Sequence, residues 1–359
     1  MILSSEKKTP RGTTREEEAV KTLYAGIDLH SSNQVIVVTD SEDTVVYRKR
    51  LRNELDVTLG ALSPFSDGLR GVVVESTYNW YWLVDGLMDH GYRVHLANTG
   101  AIQQYSGLKY ANDASDAHWL ANLLRLDILP EGYIYPKEER PVRDLARKRG
   151  GLVRQRTANV LSIKNLLARN TGRSMSASGV KRLTDEDVDE MFAGEDLGLA
   201  VKSTLAVLRC IEEQIAILEK TILKRVRLRD GFRNLLSVSG IGPVLALTIM
   251  LETGDIHRFE TVGDFASYAR CVGSAHFSNG KKKGKGNTKN GNRYLGWAFI
   301  EAANFAIRYN ETIQRYYQRK SAEGKHMLVA KKSVAHKLAR ACYYILRDQT
   351  VFDVTRAFA

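Results

Sequence analysis

At 359 residues with 43% hydrophobic content, the chain is long enough for two domains that each bury a core. Its 53 Lys and Arg against 41 Asp and Glu leave a net charge of +12, which favours a polyanionic partner through counterion release. No run of about 18 apolar residues exists to span a bilayer. The three cysteines, Cys210, Cys271 and Cys342, lie far apart without C-x-x-C spacing, which argues against a disulfide framework or zinc cluster and fits a reducing cytoplasm.

Residues 1–21 are polar and mixed in charge, lack the apolar core of a signal peptide and read as a loose tail. Short strands are expected at 22–29, 34–39 and about 44–51, separated by polar turns. The unbroken β-branched run at 71–75 predicts a strand buried on both faces. A helix over 79–90, ending near Gly91, and a strand at 92–97 complete a mixed α/β sheet domain over 22–135. From 136 to 230 strands give way to leucines at helical spacing. The stripe Leu205, Leu208, Ile211, Ile215, Leu218 and Ile222 suits a coiled coil or a packed helix pair equally, and 171–198 reads as a loop or short helical excursion. The last region, 231–359, is expected to be mainly helical.

Four carboxylates stand out. Asp28 ends the first strand and Glu75 the fourth, where side chains emerge from a sheet and ligands gather. Asp113 and Asp116 are three apart on a predicted helix and so share a face. Each alone has an ordinary reading: a strand end for Asp28, a surface position for Glu75, a helix N-cap for Asp113 with Asp116 completing a capping box. Together they would repel one another strongly unless divalent cations neutralised them. Mg2+, or Mn2+, suits such oxygen ligands, and a pair of ions about 4 Å apart can serve phosphodiester chemistry.

In the last third, Lys281, Lys282, Lys283, Lys285, Lys289 and Arg293 form a phosphate-gripping stretch interleaved with glycines, and no acid occurs between Phe265 and Ile300. The segment LLSVSGIGPVLALTIM looks like a helix-hairpin-helix, with Gly240-Ile241-Gly242 offering backbone N–H groups to a phosphate. Over 308–340, basic residues alternate with tyrosines. That pattern suits backbone contact with base stacking, or equally half-buried tyrosines under solvated lysine and arginine stems.

The order Asp28, Glu75, Asp113, Asp116 resembles the DEDD set of RuvC-type Holliday-junction resolvases, which have an RNase-H-like fold. Within that group, GIDLH, VVVES and LKYANDASDAHWLANLL resemble the transposases of the insertion-sequence 110 family. The segment SYARCVGSAHFSNGKKKGKGNTKNGNRYLGWAFIEAA resembles that family's second transposase domain, in which a serine near a glycine is the nucleophile. The resemblance implies Ser278 for that role, with Ser274 as the second candidate because Asn279 separates Ser278 from Gly280. It implies an RNase-H-like domain at 22–135, a helical, coiled-coil-like stretch at 136–230 and a serine-bearing transposase domain at 231–359. It further implies a recombinase in the bacterial cytoplasm that acts at the nucleoid as a dimer or tetramer. Such an enzyme would cut and rejoin double-stranded element-end and target DNA with a structured guide RNA. Two other classes use part of the same residues: a metal-dependent resolvase-like nuclease using water, and a non-catalytic nucleic-acid-binding protein.

Overall fold

The structure, a computed structural model, describes residues 21–102, 112–192, 194–273, 276–284, 290–324 and 326–359. The chain forms two compact units, one ending at Ile134 and the other running Tyr135–Ala359. The tail expected at 1–21 lies almost wholly outside the described residues, as do Ser274, Lys285 and Lys289 and the side chain of Lys282.

The first unit is built on β1 (Leu23–Leu29), β2 (Asn33–Asp40) and β3 (Val45–Arg52), followed by α1 (Leu55–Leu62), β4 (Leu69–Glu75), α2 (Tyr81–Asp89), β5 (Val94–Ala97) and α3 (Asp113–Arg125). The five strands make one sheet in the order β3-β2-β1-β4-β5. β2 runs antiparallel to β1 and β3, while β4 is parallel to β1 and β5. The expected strands are all present; the addition is α1, whose eight residues are too short for a clear periodic signal. β1 and the β-branched runs of β2 and β4 are buried because both sheet faces are covered. One face packs Ile27, Ile36, Val72 and Val74 against Leu62, Leu83 and Leu87. The other packs Val35, Val37 and Val73 against Ala117 and Leu120 of α3. β3, with the sequence VVYRKRLR, pairs among the described residues only with β2, and its charged side chains suit an edge strand.

α3 lies on the sheet because Gly26 lets it. A side-chain carbon at Gly26 would sit 2.8 Å from the backbone nitrogen of Ala121 and would collide with the carbonyl of Ala117. Burial of Ala117, Leu120 and Ala121 fixes the helix in that seat, and Asn112 caps it by accepting from the backbone N–H of Ser115. The N-cap is therefore Asn112, and Asp113 is the first residue of the helix.

The second unit begins with two 32-residue helices, α4 (Arg140–Thr171) and α7 (Glu195–Val226), joined through α5 (Ala177–Arg182) and α6 (Asp185–Met191). Leu205 and Leu208 of the predicted stripe pack with Val160, Ile163 and Leu167 of α4, so the stripe meets a helix of its own chain. The remaining elements are α8 (Asp230–Leu235), α9 (Pro243–Thr253), α10 (Val262–Tyr268), a hairpin of β6 (His276–Ser278) and β7 (Lys281–Gly284), then α11 (Arg293–Tyr309), α12 (Glu311–Ala322), α13 (Met327–Asp348) and α14 (Val354–Phe358). Phe265, Phe299, Ala302, Leu338 and Cys342 lie in their common core. Gly240, at φ +90°, presses against α11, where a side-chain carbon would lie 2.6 Å from the nitrogen of Ala306. Among the described residues no helix is long and apolar enough to cross a membrane.

Candidate active site

Strand register brings the acids to one face. Asp28 pairs with Val35, and Val35 pairs with Arg50, so the three side chains stand in one row across β1, β2 and β3. Gly26 pairs with Val73 in the parallel β1–β4 ladder, and two residues on in each strand come Asp28 and Glu75, on that same face. α3 covers this face and carries Asp113 and Asp116 in its first turn.

The resulting cluster is tight. Asp28 is only 3% exposed, and its Oδ2 makes no well-directed hydrogen bond among the described residues, with the His30 ring nitrogen beside it. His30 lies between two of the acids, its Nε2 at 3.1 Å from Asp28 and 3.3 Å from Asp113. Arg50 donates a hydrogen bond to Asp113. That bond, with help from His30, holds the Asp113 carboxyl below the usual range. Glu75 shows the opposite behaviour. Burial, a hydrogen bond to Asp28 and the charges of Asp28 and Asp116 push its carboxyl up to about 8. Burial and the neighbouring charges of Asp28 and Asp113 raise Asp116 as well. Glu75 and Asp116 share a cleft of about 80 Å3 with Thr99 and Trp119, far too small for a nucleotide. Ligand atoms of Asp28, His30 and Asp113 all lie within 4.8 Å of one another, as a metal ion would require.

Sequence reading gave His30 no role and did not mark Arg50. The alternation of a strand carries Asp28 and residue 30 to one side, so the two-residue spacing was a usable signal for His30. Arg50 shares the row only through the β2–β3 register, which the sequence does not display. The loop holding His30 is pinned by two amides: Asn53 and Asn79 each donate to the His30 carbonyl, at 2.9 and 3.0 Å. Asn79 in turn accepts from the Thr77 hydroxyl at 2.8 Å.

Ser278 occupies a different kind of place. It is the last residue of β6, pairs with Lys281 across the turn and is exposed. Asn279 and Gly280 form that turn with φ +51° and +70°, the left-handed pair of a type I′ hairpin. A basic loop was expected here, yet Asn-Gly between short runs is a hairpin signal that sequence reading passed over. Lys281 and Lys283 stand on β7, and Arg293 opens α11.

The segment is tied at its neck. Arg270 Nε donates to the carbonyls of Asn290 and Gly291 at 3.0 and 3.1 Å. Gly291, at φ +83°, lies against the Tyr268 carbonyl, which accepts from the Asn292 N–H at 2.6 Å. The Asn292 side chain caps α11 through the N–H groups of Tyr294 and Leu295 and donates to buried Glu252 at 2.7 Å. Arg147 closes the network with two bonds of 2.7 and 2.8 Å to the Glu252 carboxylate. Glu252, an acid ending the apolar run of α9, was also missed, although its position parallels that of Glu75.

These two arrangements coincide with two independent family matches. Residues 25–170 match a family model described as a transposase, of the DEDD insertion-sequence 110 type. Residues 232–318 match one described as the transposase IS116/IS110/IS902 family. A probable family 20 transposase of Pseudomonas aeruginosa is 25% identical over 343 residues, covering 91% of this chain and 97% of that protein. The transposase for insertion sequence element IS1111A of Coxiella burnetii is 25% identical over 340 residues, covering 91% of this chain and 90% of its own length. With the acid face inside one match, the serine hairpin inside the other and relatives aligned along nine-tenths of its length, the chain belongs to the insertion-sequence 110 family and is a DNA transposase.

Proposed function

We propose that Asp28, Glu75, Asp113 and Asp116 hold Mg2+ or Mn2+ for DNA strand cleavage and that Ser278 is the nucleophile. The observation that carries the metal assignment is Asp28: a buried carboxylate whose Oδ2 makes no well-directed hydrogen bond among the described residues, crowded by three further acids. Burying like charges together is unfavourable until a cation supplies the missing charge, and an all-carboxylate set suits hard divalent ions. The β3-β2-β1-β4-β5 order supports an RNase-H-like, RuvC-type reading of residues 22–135. Bound there, divalent ions supply charge stabilisation at the scissile phosphate.

The residues of the chain do the rest. Arg50 and His30 orient Asp113, the Asn53 and Asn79 amides hold the His30 loop, and α3 keeps Asp116 beside Glu75. In the cleavage step the Ser278 Oγ forms a bond to phosphorus as the phosphorus–oxygen bond to one sugar breaks. The serine proton is lost and the departing sugar oxygen gains one. Rejoining reverses this, with a sugar hydroxyl attacking the serine phosphodiester, so bond energy is conserved and no nucleotide cofactor is needed. Lys281, Lys282, Lys283, Lys285, Lys289 and Arg293 grip the adjoining backbone. The left-handed Gly240 and the start of α9 after Gly242 support the helix-hairpin-helix reading, with backbone N–H groups facing a phosphate. We assign 136–230 as the helical connection and 231–359 as the serine-bearing domain. Subunits of a dimer or tetramer complete one another's sites, and a structured RNA guides target choice, as the family resemblance implies.

The test is cleavage of element-end DNA, with flanking-element RNA supplied, in Mg2+. Cleavage that needs the metal and disappears in Asp28→Asn and Glu75→Gln supports the assignment. Metal-independent cleavage, or an active Asp28→Asn protein, contradicts it.

A further inference from the structure

A cavity of the second unit is used by none of the assignments above. It is a groove of about 1130 Å3 lined by α12, α13, residues 350–357 and Cys271, Val272 and Gly273. Lys320, Lys332, His336, Lys337, Arg340 and Arg356 all line it, against a single carboxylate, Asp353. That carboxylate is occupied as the cap of α14, accepting from Thr355 and Arg356. Lys320 pairs with Glu323, but among the described residues Lys332, Lys337 and Arg340 have no ion-pair partner. The Lys337 ammonium is pushed down by burial and then by Arg319, Arg340 and Lys320, so positive charge is crowded here.

The shape narrows the choice of anion. Lys337 Nζ donates to the Ala357 carbonyl of α14 at 2.9 Å and lies 5.2 Å from the centre of the Tyr316 ring of α12. Lys337 thus links α13 to α14 above the Tyr316 ring and places its charge inside the groove. Ser333, Lys337, Arg340 and Tyr344 line it along one face of α13, a stripe about 16 Å long at 1.5 Å rise per residue. That is the reach of a few successive phosphates. Half-buried Tyr344 and Phe352 give bases apolar surface. Tyr316, only 8% exposed beneath Lys337, is core and cannot serve as a stacking platform.

We propose that this groove binds a single DNA strand, with its phosphates on Lys332, Lys337 and Arg340. The occupant follows from charge complementarity, from the length of the lined face of α13 and from the transposase activity of the chain, because strand cleavage and exchange release unpaired DNA. The inference rests on that activity for its biological meaning and not on the serine or metal assignments.

The test is fluorescence polarisation with the full chain in EDTA, across a range of salt. The probes are single-stranded DNA of about 12 nucleotides, RNA of the same sequence and the corresponding duplex DNA. Lys332→Gln with Arg340→Gln removes two exposed, unpaired cations, and thermal melting verifies the fold. The pair should weaken single-strand DNA binding about tenfold and flatten its log–log salt dependence by about 1.4, or 0.7 per phosphate contact. Duplex binding should change less than about twofold, because the basic stretch at 281–293 remains. The charge-retaining pair Lys332→Arg with Arg340→Lys should restore single-strand binding. Unchanged single-strand binding overturns the proposal, and so does an equal loss on duplex. Tighter wild-type binding to RNA than to DNA overturns the assignment of DNA as the occupant. Asp28→Asn should bind the single strand as wild type does, so failure of the metal reading would leave this result intact. A chain that cleaves normally while the groove variants bind normally overturns the groove alone.

Discussion

The acid face and the serine hairpin are built in opposite ways. Asp28 is placed by the register of a five-stranded sheet, by a helix seated on Gly26 and by contact with the His30 ring. Ser278 stands exposed on a two-strand hairpin that is fixed at its neck, through Arg270 and Asn292, rather than around the hydroxyl itself. On the proposed assignment, the first site is preorganised for small ions, whereas the second presents the serine hydroxyl outward to a large substrate. A preorganised carboxylate set should be intolerant of small changes, and an exposed serine should be sensitive only to loss of its own hydroxyl.

The largest expected effect breaks the acid face directly. Asp28→Asn removes the buried charge while keeping its shape, and should lower strand cleavage by roughly a thousandfold or more, measured as the single-turnover rate with excess enzyme. DNA binding should survive. If cleavage and binding fell together, the residue would be structural.

Next comes the seat of α3. Gly26→Ala places a carbon against the backbone of Ala117, where nothing flexible can yield, and should destabilise the chain by about 3 kcal/mol in a urea titration. A comparable change at the hairpin, Asn279→Gly, keeps the left-handed conformation available and should alter stability by less than about 1 kcal/mol. Equal effects at the two places would erase the contrast.

Arg50→Met sharpens the comparison. It frees Asp113 without touching the other acids, and should reduce activity or metal affinity by about 10- to 100-fold. Rescue by higher metal concentration would identify the loss as one of ligand orientation.

The smallest effect is in pH. Glu75 holds its proton up to about 8 in the folded chain against an ordinary value of 4.5, so between those values the unfolded chain has released a proton that the folded chain keeps. Its contribution to stability is therefore full below about 4.5 and is lost as pH rises towards and through 8. Divalent ions favour the ionised form, so Mg2+ should raise the melting temperature more at pH above 8 than at pH 6, by about 2–4 °C. Glu75→Gln should abolish that difference. A Mg2+ effect independent of pH would contradict the crowding of these acids.

Much of the first unit was legible in sequence because β2 and β4 are β-branched runs and β1 is largely apolar, so Asp28 and Glu75 stood out as acids at or next to strand ends. Asp113 and Asp116 were legible through helical spacing, but the cap was not, because Asn112 and Asp113 are both good N-cap residues and only the backbone distinguishes them. Arg50 was hidden because register across an edge strand is a property of two strands at once. In the second unit, the Asn279-Gly280 turn was hidden because the hairpin strands on either side of it are only three and four residues long. Glu252 was hidden because its partners, Arg147 and Asn292, come from positions 105 and 40 residues away.

The central claim is that the two sites serve one reaction, and covalent capture tests it most directly. Wild-type chain, Mg2+, element-end DNA and RNA from the element flanks are combined, denatured and examined for protein bound to DNA. The account predicts an adduct that maps to Ser278 and is absent from both Ser278→Ala and Asp28→Asn. An adduct that persists in Ser278→Ala, or efficient cleavage by that variant with water as the nucleophile, would contradict it.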